Sequence, residues 1–238
     1  MLSLRRARLA PPIPVQVERV PVVRVQAPAL TSLTKRGLDI GLAVVLLVIS
    51  SPIWLVAAIL IKLTSPGPIL FRQERVGARG AIFTCLKFRT MHHGASDEAH
   101  RELVSRMLST RERSTTGDGQ PYKVNGDSRV IPVGRWLRRT SLDELPQLIN
   151  VIRGEMSIVG PRPPLAYEVD SYEDWQRERL GVRPGITGLW QVSGRNRLSY
   201  HEMVALDIEY IRSWSIATDL LIMISTPWVM FIDRGGAS

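Results

Sequence analysis

Cysteine is nearly missing from this chain. Cys85 is the only one among 238 residues. An intrachain disulfide is therefore excluded, nothing demands an oxidising compartment, and a cysteine-rich zinc site is ruled out. Two nucleotide-binding motifs are absent as well. There is no G-x-x-x-x-G-K and no G-x-G-x-x-G, so neither a P-loop nor a dinucleotide-binding turn is offered. No internal repeat is evident. Arg5, Arg6 and Arg8 are not followed by an apolar core of signal-peptide length, which argues against a cleaved leader. Acidic residues are the minority: 22 Asp+Glu stand against 31 Lys+Arg, a formal net charge of +9. That excess suits an anionic partner, whether phosphorylated substrate, anionic lipid or nucleic acid.

What the chain does have is an uneven distribution of its 45% hydrophobic residues. Residues 1 to 33 are rich in Pro, Val and Arg, the composition expected of a disordered basic tail near a membrane. Ile40 to Ile61 is a run of uncharged, mostly apolar residues, matching the roughly 20 needed to cross a bilayer. Ser51 and Pro52 interrupt its middle, and a proline removes the backbone donor to the carbonyl four residues back. Positive charge flanks both ends, with Lys35 and Arg36 before and Lys62, Arg72, Arg75 and Arg79 after. The charge rule for orientation then gives no direction. Two readings stay open on the residues alone: a helix that bends at Ser51-Pro52 and returns to the face it entered from, and a proline-kinked transmembrane helix.

Ile69 to Met91 reads as a β-hairpin turning at Gly77-Ala78-Arg79-Gly80. Its polar members include Arg75, Lys87 and Arg89, which fit either a solvated face or a ligand wall. The spacing predicts a helix over Asp97 to Leu108 and a loop over Thr110 to Gly126. His92, His93 and His100 have no metal-ligand spacing and read as surface residues. Arg135, Arg138 and Arg139 then lead to the most informative stretch.

Ser141 to Pro163 reads S-L-D-E-L-P-Q-L-I-N-V-I-R-G-E-M-S-I-V-G-P-R-P. Leu142, Leu145, Leu148, Ile149 and Ile152 recur at helical spacing. Ser141 with Glu144 forms a candidate capping box, and Gly154 a stop. Asp143 and Glu144 would sit in the first turn, where the helix dipole favours carboxylates. Most acidic pairs at such places only cap and solvate. Here the company is different: Arg162 stands between Pro161 and Pro163, and a rigidly presented guanidinium suits a phosphate. Further on, Tyr167 to Leu180 reads as an amphipathic helix. Gly181 to Asn196 reads as a glycine-rich loop that lets backbone donors approach a ligand. Tyr200 to Trp214 reads as a helix, and Asp219 to Ile232 as an apolar segment of the interface or core.

Taken together these motifs resemble the bacterial sugar transferases of the small monotopic phosphoglycosyl transferase family. The resemblance runs from about Leu33 to Asp233. It is carried by K-R-G-L-D with the Ser51-Pro52 break, F-R-Q-E-R-V-G, K-F-R-T-M, R-R-T-S-L-D-E-L-P-Q-L, G-E-M-S-I-V-G-P-R-P and R-P-G-I-T-G-L-W-Q-V-S-G-R-N. It implies an α+β fold, mainly helical with a small hairpin, and interfacial amphipathic helices. The membrane helix, residues 34 to 64, would be re-entrant, with a cytoplasmic catalytic domain over 65 to 238 at the bacterial inner membrane. It also implies that Asp143 is the nucleophile, that Glu144 is its partner and that Mg²⁺ binds at this pair. Arg138 and Arg162 match basic residues near the phosphate. Lys87, Arg89, Gln191, Arg195 and Asn196 are the further substrate-binding candidates within the matched motifs.

The implied reaction moves a sugar-1-phosphate from a UDP-sugar to polyprenyl phosphate, undecaprenyl phosphate in bacteria, releasing UMP by way of an acyl phosphate on Asp143. Three alternatives are weaker. A UDP-releasing glycosyltransferase commonly uses an Asp-x-Asp, and there is none. A nucleic-acid binder would show a recognition motif, whereas the basic residues here are scattered among acids. A non-catalytic scaffold would not need the Asp143-Glu144 pair. A homodimer is compatible with the sequence and nothing in it demands one.

Overall fold

The computed structural model describes residues 33–94, 102, 128–195 and 198–231. The tail, nearly all of the helix expected over Asp97 to Leu108, the loop up to Gly126, and Asn196 lie outside the described residues.

The long apolar run forms α1, Leu33–Thr64, with Pro52 inside it. Pro52 cannot donate to the carbonyl of Val48, and the Ser51 hydroxyl takes that carbonyl instead at 2.8 Å. Both halves of α1 rest on the same body. Ala43 joins the main core with Cys85, Leu148, Val151 and Tyr210, while Ala57 and Ile61 pack with Phe88, Ile131 and Leu137. Outward, α1 exposes Val44, Val45, Val48, Ile49, Leu55 and Val56. By length and composition it is the one described helix able to cross a membrane.

The hairpin is as read. β1 (Leu70–Val76) and β2 (Ile82–Phe88) pair antiparallel, from Leu70↔Phe88 to Val76↔Ile82. The turn takes a short 3-10 form in which Arg79 and Gly80 both have positive φ. After it come α2 (Pro132–Thr140), α3 (Gln147–Arg153) and β3 (Ser157–Val159). Then follow α4 (Ala166–Asp170), β4 (Gly185–Thr187), α5 (Leu189–Ser193), α6 (Tyr200–Arg212) and α7 (Ile216–Phe231).

Three expectations are corrected. The helix predicted from Ser141 does not start there. Ser141 is left-handed (φ 56) and ends α2, its side chain makes no cap bond, and Leu142–Glu144 is a single 3-10 turn. The cause is Pro146, which has no N–H to donate back into that turn and instead opens α3. Second, Tyr167 to Leu180 is two pieces. α4 stops at Asp170, and a new capping box between Glu173 and Gln176 starts a 3-10 segment over Asp174–Gly181. Third, the glycine-rich stretch after Gly181 is partly ordered into β4, which runs parallel to β3 with Ser157↔Gly185 and Val159↔Thr187. The ladder is close enough that a Cβ on Gly185 would lie 2.1 Å from the backbone nitrogen of Gly160.

The apolar C-terminal segment is α7. Ile216, Leu220, Ile224 and Trp228 repeat every four residues and are exposed, while Ile222 and Val229 are buried. This one-sided exposure is the pattern of a helix lying at an interface. A buried polar cluster ties it to α1: Lys35 meets Asp219 at 2.7 Å, and Asp39 accepts from the Ser157 hydroxyl at 2.8 Å and the Ile158 amide at 3.1 Å.

Candidate active site

Asp143 is buried in the 3-10 turn, and Glu144 beside it is half-buried. A three-residue turn supplies almost no dipole, so the electrostatic support expected from a helix terminus must come from elsewhere. It comes from β2. Lys87 Nζ lies 2.5 Å from Glu144 Oε1. Burial works against charge on Lys87, but Glu144 and then Asp143 outweigh it and hold the ammonium above its ordinary range. β2 is fixed against α3 by Asn150, which is fully buried. Its side chain accepts from the Leu86 amide at 3.0 Å and donates to the Thr84 carbonyl at 2.7 Å and to Glu155 at 2.6 Å. Sequence reasoning missed Asn150. Its signal was a lone amide inside the apolar stripe of Leu148, Val151 and Ile152.

A second group gathers around Arg162. The segment after β3 is poor in N–H groups because of Pro161, Pro163 and Pro164, yet its carbonyls are all taken. Pro161 accepts from the Gly185 amide at 2.8 Å. Arg162 accepts from Arg179 Nη2 at 3.3 Å, and Pro163 from Arg75 Nη1 at 2.9 Å. Pro164 accepts from the Val76 amide at 2.9 Å. The Arg162 guanidinium faces Glu168 at 3.5 Å. Arg179 pairs with Asp207 at 2.7 Å and donates to the Tyr172 hydroxyl at 2.7 Å. Burial pushes Asp207 up to about 6, against the pull of Arg179. It likewise pushes Tyr172 up to about 12. Glu168, Arg179 and Asp207 were not singled out from the sequence as site residues, since charged residues in polar stretches read as surface.

The two groups are linked through the hairpin: the Asp143 turn packs against β2, and α4 packs against β1. Burial raises the Cys85 thiol, and the charges of Lys87, Arg75, Glu144 and Arg162 all bear on it. Arg138 lies in the last turn of α2, immediately before the acid pair. Arg89 is placed differently. Its guanidinium is buried and donates to the Ser65 carbonyl at 2.6 Å and the Pro66 carbonyl at 2.8 Å, so it clamps the exit of α1. Burial lowers its pKa. Gln191 donates to the Ile186 carbonyl at 3.3 Å, and Arg195 to the Val229 carbonyl at 3.2 Å. Those contacts join the glycine-rich stretch to β4 and α7. Among the described residues no three His, Cys, Asp or Glu side chains gather as a metal site. Asp143 and Glu144 offer a pair of carboxylates only.

With this geometry in view, comparison with known proteins is direct. Residues 30–233 match the family model of bacterial sugar transferases. The exopolysaccharide production protein ExoY of Sinorhizobium fredii is 42% identical over 203 residues, covering 85% of this chain and 88% of that one. The UDP-glucose:undecaprenyl-phosphate glucose-1-phosphate transferase of Caulobacter vibrioides is 44% identical over 202 residues, covering 82% and 68%. The undecaprenyl-phosphate galactose phosphotransferase of Salmonella typhimurium is 39% identical over 204 residues, covering 85% of this chain and 41% of the longer relative. The chain belongs to the bacterial sugar transferase family. It is an enzyme, and its mixed fold includes one long apolar helix compatible with membrane anchoring.

Proposed function

We propose that this protein is a phosphoglycosyl transferase that moves a sugar-1-phosphate from a UDP-sugar to undecaprenyl phosphate. It thereby begins assembly of a polysaccharide or glycoconjugate. The observation that carries the reading is the buried Asp143 beside Glu144, with Lys87 at 2.5 Å and the arginine group linked to them through the hairpin. Relatives whose names specify undecaprenyl-phosphate phosphotransferases support the substrate class.

The chemistry follows from these residues. A carboxylate oxygen of Asp143 attacks the β-phosphorus of the donor. The bond from that phosphorus to the bridging oxygen breaks, and UMP leaves with the electron pair. The phospho-sugar is then an acyl phosphate on Asp143. A phosphate oxygen of the lipid carrier attacks the same phosphorus and returns the carboxylate. Arg162 and Arg138 offset the charge on the transferring group. Lys87 holds Glu144 in place and sets a positive charge beside the acid pair.

The donor set fits Mg²⁺. This ion is ordinarily held by one or two carboxylates together with substrate phosphates, and Asp143 with Glu144 supplies the protein's share. Bound there, it would contribute Lewis-acid neutralisation of the diphosphate.

The membrane reading belongs to the same proposal. α1 enters one leaflet, bends at Ser51-Pro52 and returns, so that the active site lies at headgroup depth on the cytoplasmic face of the inner membrane. The proline in mid-helix and the apolar outer face along both halves of α1 support this reading. The proline at the apex has its orphaned carbonyl taken by Ser51.

The test is nucleotide release from purified protein in nanodiscs, given Mg²⁺, undecaprenyl phosphate and a panel of UDP-sugars. UMP release that disappears in Asp143→Asn supports the proposal and names the sugar. UDP release would replace it with direct glycosyl transfer.

A further inference from the structure

Glu168 has no part in the reaction as written, yet its setting is unusual. It is fully buried. Among the described residues neither of its carboxylate oxygens accepts a hydrogen bond. A buried carboxylate without hydrogen bonds is costly and persists only where charge compensates it. Here the compensation comes from guanidinium groups. Arg162 Nη1 is 3.5 Å away, and Glu168 works against the lowering that burial and Arg162 impose on Arg75.

The surroundings show what such a charge accomplishes. The backbone from Pro161 to Pro164 is held at four successive carbonyls. From this fixed backbone the Arg162 side chain reaches toward Glu168. Three guanidiniums converge on this segment, from Arg75, Arg162 and Arg179. Arg179 is already committed to Asp207 at 2.7 Å, and Arg75 to Gln73 and the Pro163 carbonyl. The Glu168 charge offsets the mutual repulsion of Arg162 and Arg75.

We propose that Glu168 is a positioning residue: its buried carboxylate draws the Arg162 guanidinium inward and sets the orientation in which it meets the donor's diphosphate. The inference rests on the role assigned to Arg162 above. The ion pair anchors one side of the guanidinium, Nη1, at 3.5 Å.

A double-mutant cycle tests this on the full-length protein in nanodiscs, reading UMP release and its KM for the donor. Arg162→Gln alone should lower kcat/KM; if it does not, the reading of the site has failed, and Glu168 with it. Glu168→Gln should lower kcat/KM about 10- to 100-fold, the scale of a misplaced binding group. In the Arg162→Gln background it should add less than about twofold, because the group it positions is gone. Glu168→Asp keeps the charge but withdraws it by one methylene, and should fall between. Where Glu168→Gln does not fold, the same cycle is run with Glu168→Asp. Full additivity in the cycle, or a lowered melting midpoint with kcat/KM unchanged, would make Glu168 structural only and overturn the proposal.

Discussion

Arg179 and Asp207 meet at 2.7 Å with side-chain exposures of 4% and 1%. The pair joins the 3-10 segment after α4 to α6, and it braces the backbone that carries Arg162. Its two members are unequal in acid–base terms, because burial raises Asp207 to about 6 while Arg179 opposes the rise.

This gives a pH prediction. In the unfolded chain Asp207 titrates near its ordinary value, below its folded value. Between the two, the folded protein holds a proton that the unfolded chain does not. The resulting stabilisation is fully present below the unfolded pKa and is lost as pH rises through about 6. A shift of about two units corresponds to roughly 3 kcal/mol. Wild type should therefore gain stability relative to Asp207→Asn as pH is lowered from 8 to 5, measured by thermal melts in detergent. A constant difference across that range would contradict the assignment.

Lys87→Met should lower UMP release by about 100-fold, the scale of losing one preorganised electrostatic group. Circular dichroism should stay near wild type. Lys87→Arg should recover part of the loss. Because the Lys87 ammonium is held above its ordinary range, it stays charged at every working pH. No activity limb between pH 6 and 9 should then disappear in Lys87→Arg.

Gly185→Ala probes the parallel ladder. The new Cβ would sit 2.1 Å from the Gly160 nitrogen and 2.5 Å from the Thr187 carbonyl oxygen. Both are backbone atoms, so relief requires the strands to part. The expected cost is about 3 kcal/mol, a drop in melting midpoint of roughly 6–12 °C.

Pro52→Ala restores a backbone N–H in the middle of α1 and, on the proposed re-entrant reading, removes the cause of the bend. Single cysteines placed at Thr34 or Lys62 of a Cys85→Ser chain should both be shielded from an impermeant thiol reagent outside spheroplasts. In Pro52→Ala one of them should become reactive as the helix straightens. External labelling of either site with Pro52 in place would identify a spanning helix.

The parts of this molecule legible in the sequence are those set by local pattern. The hairpin, α6 with its Ser199–Glu202 capping box and the apolar α7 follow from alternation, caps and helical spacing. So does the nearness of basic residues to the acid pair, though not which lysine answers Glu144. β3 and β4 were hidden because three residues are too few to show a period, and they find each other across an intervening helix. The turn around Asp143 was misread because the apolar spacing of Leu142, Leu145 and Leu148 spoke for a helix while Pro146 vetoed its first turn. The contacts of Arg89 with the Ser65 and Pro66 carbonyls were not legible because a cation in a motif reads the same whether it meets a ligand or a carbonyl. Burial of Arg179 with Asp207, and of Glu168 beside Arg162, depends on pairing that no single-residue hydropathy reveals.

The polar cluster at the base of α1 has a practical consequence. Lys35 and Asp39 satisfy Asp219, Ser157 and the Ile158 amide, while Ala43, Ala57 and Ile61 are fully enclosed by the rest of the fold. The membrane-capable helix α1 is thus an internal component of the enzyme rather than a tether. A truncated form lacking it would strand a buried aspartate and open two core clusters to water. A generic anchor grafted in its place would restore attachment to the bilayer without restoring the fold.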